Sequence, residues 1–360
     1  FELLVQNNKI PSGIILSGPP GIGADFLALK FSHLLKLSRD SKVSEKDTIP
    51  IRFEEPDIKY IYPLMRGQNE DSNEDPFQRL KKEDIDAIKQ EIAQKNINPY
   101  HEFLLPRANE IKLNSIRSIK NFLSLNYSDY SYRTILISKA EYMSDTTQNA
   151  LLKSLEEPPP GVTMILTTTD ASKLLTTIRS RCWEIKLNHL SDAEMTTILE
   201  RYFETENSVI KNILPFAKGN LNEAVNLMDA DVTEIATQGI EILRFAMSGN
   251  FLKASAVSDV LFKEKDNEKL NLFIRFLINW FSDAFKHSMG REDYILTEHA
   301  ETFRKFAERY PETKYSEILN SLENLQSTLE NNYMNKAGII SKIFYELRAV
   351  TTAQIKLSTP

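Results

Sequence analysis

The sequence predicts an α/β domain built on a parallel, doubly wound sheet, then a small helical domain, then a larger all-helical one. Three observations carry this. Short apolar runs alternate with helix-period stretches over residues 1–187. A glycine-rich loop follows the first apolar run. Beyond Ser191 no convincing strand pattern remains. The expected domains are 1–187, 188–231 and 232–360.

Ile14-Ile15-Leu16 reads as a buried parallel strand leading into the loop. Leu27, Phe31, Leu34 and Leu35 then share one helical face. Thr134–Ile137 and Met164–Thr167 read as two further strands. Between them Ala150–Leu155 reads as a helix, stopped by Pro158-Pro159-Pro160. Ser191-Asp192-Ala193-Glu194 has the capping-box spacing that starts a helix. Three apolar stripes follow: Leu270 to Phe285, Ile318 to Leu329, and Ile339 to Leu347. They predict a bundle core, with an oligomer interface expected on the last helices. Two polar stretches interrupt the first domain. Residues 38–50 are charged, and the acidic run 66–78 is expected to be a mobile surface loop.

The chain has 360 residues, and its net charge is 44 − 50 = −6. That balance argues against autonomous tight DNA binding, which rewards a basic face. The single cysteine, Cys182, excludes an internal disulfide and a cysteine-rich zinc site. His33, His101, His189, His287 and His299 show no ligand spacing, so no metal is expected. No apolar run reaches transmembrane length, and a cytoplasmic protein is expected. The chain opens on Phe1 without an initiator methionine, which predicts a preceding segment.

The chemistry is read from Gly18-Pro19-Pro20-Gly21-Ile22-Gly23-Ala24-Asp25. This keeps the glycines of a phosphate-binding loop but has Ala24 in place of the lysine that reaches the β/γ-phosphates. Asp25 replaces the hydroxyl residue that ligates Mg²⁺. A carboxylate in the first helical turn complements the helix N-terminus and repels a phosphate. Gly18, Gly21 and Gly23 are therefore a degenerate cofactor loop, with weak nucleotide binding or none. An acidic pair would follow the strand Ile135–Ile137 in an active site; Ser138 and Lys139 stand there. Ala140-Glu141-Tyr142-Met143 then continues as the active pattern would. No cofactor is expected.

The motifs Gly18–Gly23, Asn149-Ala150-Leu151-Leu152-Lys153-Ser154-Leu155-Glu156-Glu157-Pro158-Pro159 and Ile178-Arg179-Ser180-Arg181-Cys182 occur in that order. Together, with Pro56-Asp57, they resemble the clamp-loader branch of the AAA+ ATPases, strongly over about residues 9–225. The resemblance implies an AAA+ sheet domain, a lid and a helical collar. It implies that Arg181 is an arginine finger projecting into a neighbour's ATP site, while the chain itself does not hydrolyse ATP. The implied partners are gamma/tau-type ATPase subunits and a delta-type subunit of bacterial DNA polymerase III, primer-template DNA, and the sliding clamp. The family's first sensor falls on Thr168 or Thr169, and its second-sensor arginine is replaced by Asn222. The family's four-cysteine module has no counterpart in 36–56. Arg117 and Lys120, on one face of an expected helix, are the candidate DNA contacts, to phosphate only. The rival readings are an active ATPase subunit with a substitute cation, for which Lys30 is badly placed, and an interaction module outside replication.

Overall fold

The computed structural model describes residues 9–37, 55–124, 132–228, 230–262, 267–330 and 335–357, together with Leu4 and Phe53. Most of the 36–56 segment lies outside these residues. The chain divides into two compact units. One comprises Phe1–Ser191 with Gly219–Asn222, and the other Asp192–Lys218 with Glu223–Pro360. The expected 188–231 lid is thus distributed between them.

The first unit is built on five strands: β1 (Gly13–Ser17), β2 (Ile58–Ile61), β3 (Arg133–Ile137), β4 (Val162–Thr168) and β5 (Trp183–Lys186). All neighbours are parallel, in the order β2-β3-β4-β1-β5. Parallel strands need crossovers, and the helices supplying them are α1 (Ala24–Leu37), α2 (Lys82–Ile97), α3 (Leu113–Ser124), α4 (Asp145–Glu156) and α5 (Thr176–Arg179). Alternate side chains of each strand enter different cores. Ile14 and Leu16 pack with Ala28, Leu29 and Phe31 of α1. Ile15 packs with Ile116 and Ile119 of α3 and Leu151 of α4. Burial on both faces explains why these strands read as unbroken apolar runs. The short strands β2 and β5, with less apolar sequence, were not expected.

The acidic stretch 66–78 makes specific polar contacts. It is tied back to α3: Lys112 pairs with Glu70 at 2.7 Å, and Asn114 Nδ2 donates to Glu70. Arg117 Nη1 donates to the Ser72 carbonyl and the Asn73 side chain. A loop with almost no apolar residues is here held by charge and hydrogen bonds, which a composition-based reading does not register.

The second unit is all helix: α6 (Asp192–Phe203), α7 (Asn207–Ala217), α8 (Leu221–Met228), α9 (Val232–Met247), α10 (Phe251–Leu261), α11 (Asn267–Ser288), α12 (Ala300–Arg309), α13 (Tyr315–Glu330) and α14 (Lys336–Leu357). The first two residues of α8 belong to the first unit. Helix α6 begins directly after Ser191, and Asp231 caps α9 by accepting from Glu234 N at 2.9 Å. Helix α11 packs against α9, α12 and α13. Phe276, Trp280 and Asp283 are therefore buried beyond the expected stripe, while Phe285 is exposed. Among the described residues no helix is long and apolar enough to cross a membrane.

Candidate functional site

The glycine loop connects β1 to α1, and the carboxyl ends of β3 and β4 meet it. Gly21 and Gly23 have φ of 74° and 79°, which only glycine adopts at little cost. They are also close-approach points. A Cβ on Gly23 would lie 2.6 Å from the Tyr100 ring, and one on Gly21 would strike Asn220. The backbone amides of Leu221 and Asn222, at the start of α8, donate to the Gly21 carbonyl at 2.9 and 3.3 Å. Gly18 N donates to the Thr168 carbonyl at 3.1 Å.

Asp25 turns toward the sheet and α2. Its Oδ2 accepts from Ser138 Oγ at 2.8 Å and from the Tyr60 hydroxyl at 3.0 Å. Its Oδ1 accepts from Thr167 Oγ1 at 2.7 Å. Lys95 Nζ lies 3.3 Å from Oδ2. Burial on its own pushes the Asp25 carboxyl up, but the Lys95 ammonium and the three hydroxyls together hold it below the usual carboxylate range. Burial first, then the Asp25 anion, pushes the Tyr60 phenol well up and keeps it a donor.

Lys95 is buried and fully employed. Its ammonium also donates to the His101 carbonyl at 2.8 Å and sits over the Phe53 ring. Buried residues of α2 include Ile88, Ile92 and Lys95, so the lysine continues an apolar stripe. That placement is the sequence signal that would have found it. Residues 99–103 cover the loop. Tyr100 packs edge-on to Phe26, with ring centroids 4.7 Å apart. Lys139, at the second acidic position, binds Glu102 at 3.0 Å and the Phe103 carbonyl at 3.2 Å. Asn222 Oδ1 accepts from Glu102 N at 3.3 Å. The space left is a cavity of about 90 Å³. Ligand pockets run from about 300 Å³ upward.

The sequence-derived site residues separate into three places. Gly18, Gly21 and Gly23 line the small cavity. Of the two candidate sensor threonines, Thr168 Oγ1 accepts from Asp170 N and Thr169 donates to Glu141, whereas Thr167, not singled out in the sequence, reaches Asp25. Arg181 stands apart, after α5. Its guanidinium is partly exposed, donates to the Thr177 carbonyl at 2.9 Å and pairs with Glu156 at 2.7 Å. Cys182 is buried in the α3/α4 core. Arg117 and Lys120 are exposed on α3, Arg117 being tied to Ser72 and Asn73. Lys30 lies over the Phe26 ring. Asp57, of the Pro56-Asp57 segment, is buried and pairs with Lys36 of α1 at 2.7 Å. Among the described residues no group of three or more His, Cys, Asp or Glu could hold a metal.

A family model described as DNA polymerase III, delta subunit, matches residues 1–191. The chain belongs to that family. This delta-subunit family member is 35% identical over 127 residues to DNA polymerase III subunit gamma of Buchnera aphidicola (subspecies Schizaphis graminum), covering 34% of this chain and 35% of that protein. It is 26% identical over 268 residues to subunit tau of Bacillus subtilis, covering 67% of this chain and 46% of that one. The chain thus spans less than half the length of these relatives. Among solved structures, a DNA polymerase III gamma-subunit-related protein of Thermotoga maritima aligns over 97% of this chain and 99% of its own, at 16% identity and a TM-score of 0.42. Membership in a clamp-loader family, which the motifs implied, holds.

Proposed function

We infer that this chain is the delta-prime-type, non-hydrolysing subunit of the DNA polymerase III clamp loader, an interaction and arginine-finger subunit. The observation that carries the reading is the Lys95–Asp25 pair. A buried ammonium of the protein's own neutralises the carboxylate where an active site would place Mg²⁺ and a hydroxyl ligand. The small remaining cavity, the missing lysine at Ala24 and the committed Asn222 and Lys139 all support it. Arg181 offers a guanidinium held by the Thr177 carbonyl and by one exposed glutamate, Glu156, an exchangeable partner. A neighbouring subunit's γ-phosphate would take it from Glu156. Arg117 and Lys120 are the proposed phosphate contacts for DNA within the complex, and the all-helical unit is the proposed collar. The partners are gamma/tau-type ATPase and delta-type subunits, in the cytoplasm.

The similarity to subunits named gamma and tau favours a second reading, an active ATPase subunit. Equilibrium titration of the isolated chain with labelled ATP and Mg²⁺ separates the two. The proposed reading gives no saturable binding at about 1 mM, and micromolar affinity overturns it. For the finger, Arg181→Ala should fold and assemble normally. Hydrolysis at the one site it faces should drop about 10³-fold or more. An unchanged DNA-stimulated ATPase in the reconstituted complex would discard the assignment.

A further inference from the structure

The all-helical unit contains a cavity of about 850 Å³ between α9, α12 and α14, with Trp280 of α11 at its base. Its floor is apolar, formed by Leu243, Met247 and Phe306. Its rim carries Arg244, Lys305, Arg309 and Arg348 against one carboxylate, Glu301. Glu301 pairs with Lys305 along α12, which leaves 4 − 1 = 3 net positive charges. Lys305 and Arg309 lie one helical turn apart, while Arg244 and Arg348 come from α9 and α14. Arg348 is braced: its Nη1 donates to the Met247 carbonyl at 2.7 Å, as does Thr351 Oγ1 at 2.9 Å.

We propose that this groove docks an acidic amphipathic helix of a partner protein. The local charge opposes the net −6 of the chain, so general basic character does not explain it. The cations come from three helices around an apolar floor. A lone phosphate would use one or two of them and leave the floor wet. A helix with carboxylates on its flanks and apolar residues on its face satisfies both features. The volume lies near the top of the range that small ligands fill.

The test uses the full chain carrying Trp183→Phe, so that Trp280 is the sole tryptophan. The probe is a synthetic acidic helix of about five turns, with Glu and Leu at helical spacing. A peptide of the same composition in permuted order, laurate and inorganic phosphate complete the set. The expected result is saturable binding of the amphipathic peptide alone, with a change in Trp280 emission, weakening as salt rises. Arg244→Glu and Arg309→Glu should each weaken it by about tenfold or more while keeping the parental melting temperature. Absence of binding, equal binding of the permuted peptide, or affinity unmoved by both charge reversals overturns the proposal. So does equal competition by phosphate or laurate, which would make the groove a small-anion or acyl-chain site. If one variant fails to fold, the other and the salt dependence decide.

Discussion

Lys95 Nζ stands 3.3 Å from Asp25 Oδ2, directly behind the glycine loop. The pair joins α2 to the first turn of α1, and Tyr60, Ser138 and Thr167 complete its shell.

Removing the ammonium should therefore cost the fold. Lys95→Met leaves a buried carboxylate unpaired, and the expected loss is about 3–5 kcal/mol by urea unfolding. The double variant Lys95→Met/Asp25→Asn should recover most of it, since replacing a whole buried pair is often near neutral. A single-variant loss below about 1 kcal/mol would mean the pair is not closed in solution.

The pH dependence has a definite sign. The folded Asp25 carboxyl lies below its usual value of 3.8. Its stabilisation is complete above that value and is lost as pH falls through the lower folded one. Stability measured from pH 6 down to about 2 should drop less steeply at the acid end in the double variant than in the parent.

Restoring the loop lysine alone should not restore nucleotide binding. In Ala24→Lys, Tyr100 still covers Gly23 and Asp25 is still committed to Lys95. Calorimetric titration with ATP and Mg²⁺ should show no more heat than the parent. Micromolar affinity in that single variant would show that the covering segment opens readily.

Cys182 should act as a reporter of unfolding. Burial pushes its thiol up to about 11, so almost no thiolate exists at pH 8. Labelling by a thiol reagent should be slow in the native chain and follow denaturant concentration. Rapid native labelling would contradict the packing of its sulfur against Gly13 and the α4 side chains.

In the helical unit, Asp283 is fully buried and accepts from Ile295 N and Leu296 N at 2.9 and 2.7 Å, while Lys286 pairs with it at 3.2 Å. Asp283→Ala orphans two backbone amides, while Lys286 keeps its bond to the Asp293 carbonyl, and should cost about 2–3 kcal/mol. Thermal unfolding in the Trp183→Phe background, followed by Trp280 emission, measures it.

The amino-acid order alone determined the parallel sheet domain, the helical remainder, the loop with its missing lysine, and the family. Those features are local: strand periodicity, turn glycines and contiguous motifs are written in neighbouring residues. Tertiary structure decided what surrounds Asp25. Lys95 lies 70 residues from Asp25, and Tyr60, Tyr100, Ser138 and Thr167 come from separate segments. No local pattern brings them together. Their meeting depends on the order of the strands in the sheet, and in a dry interior a carboxylate must find a cation.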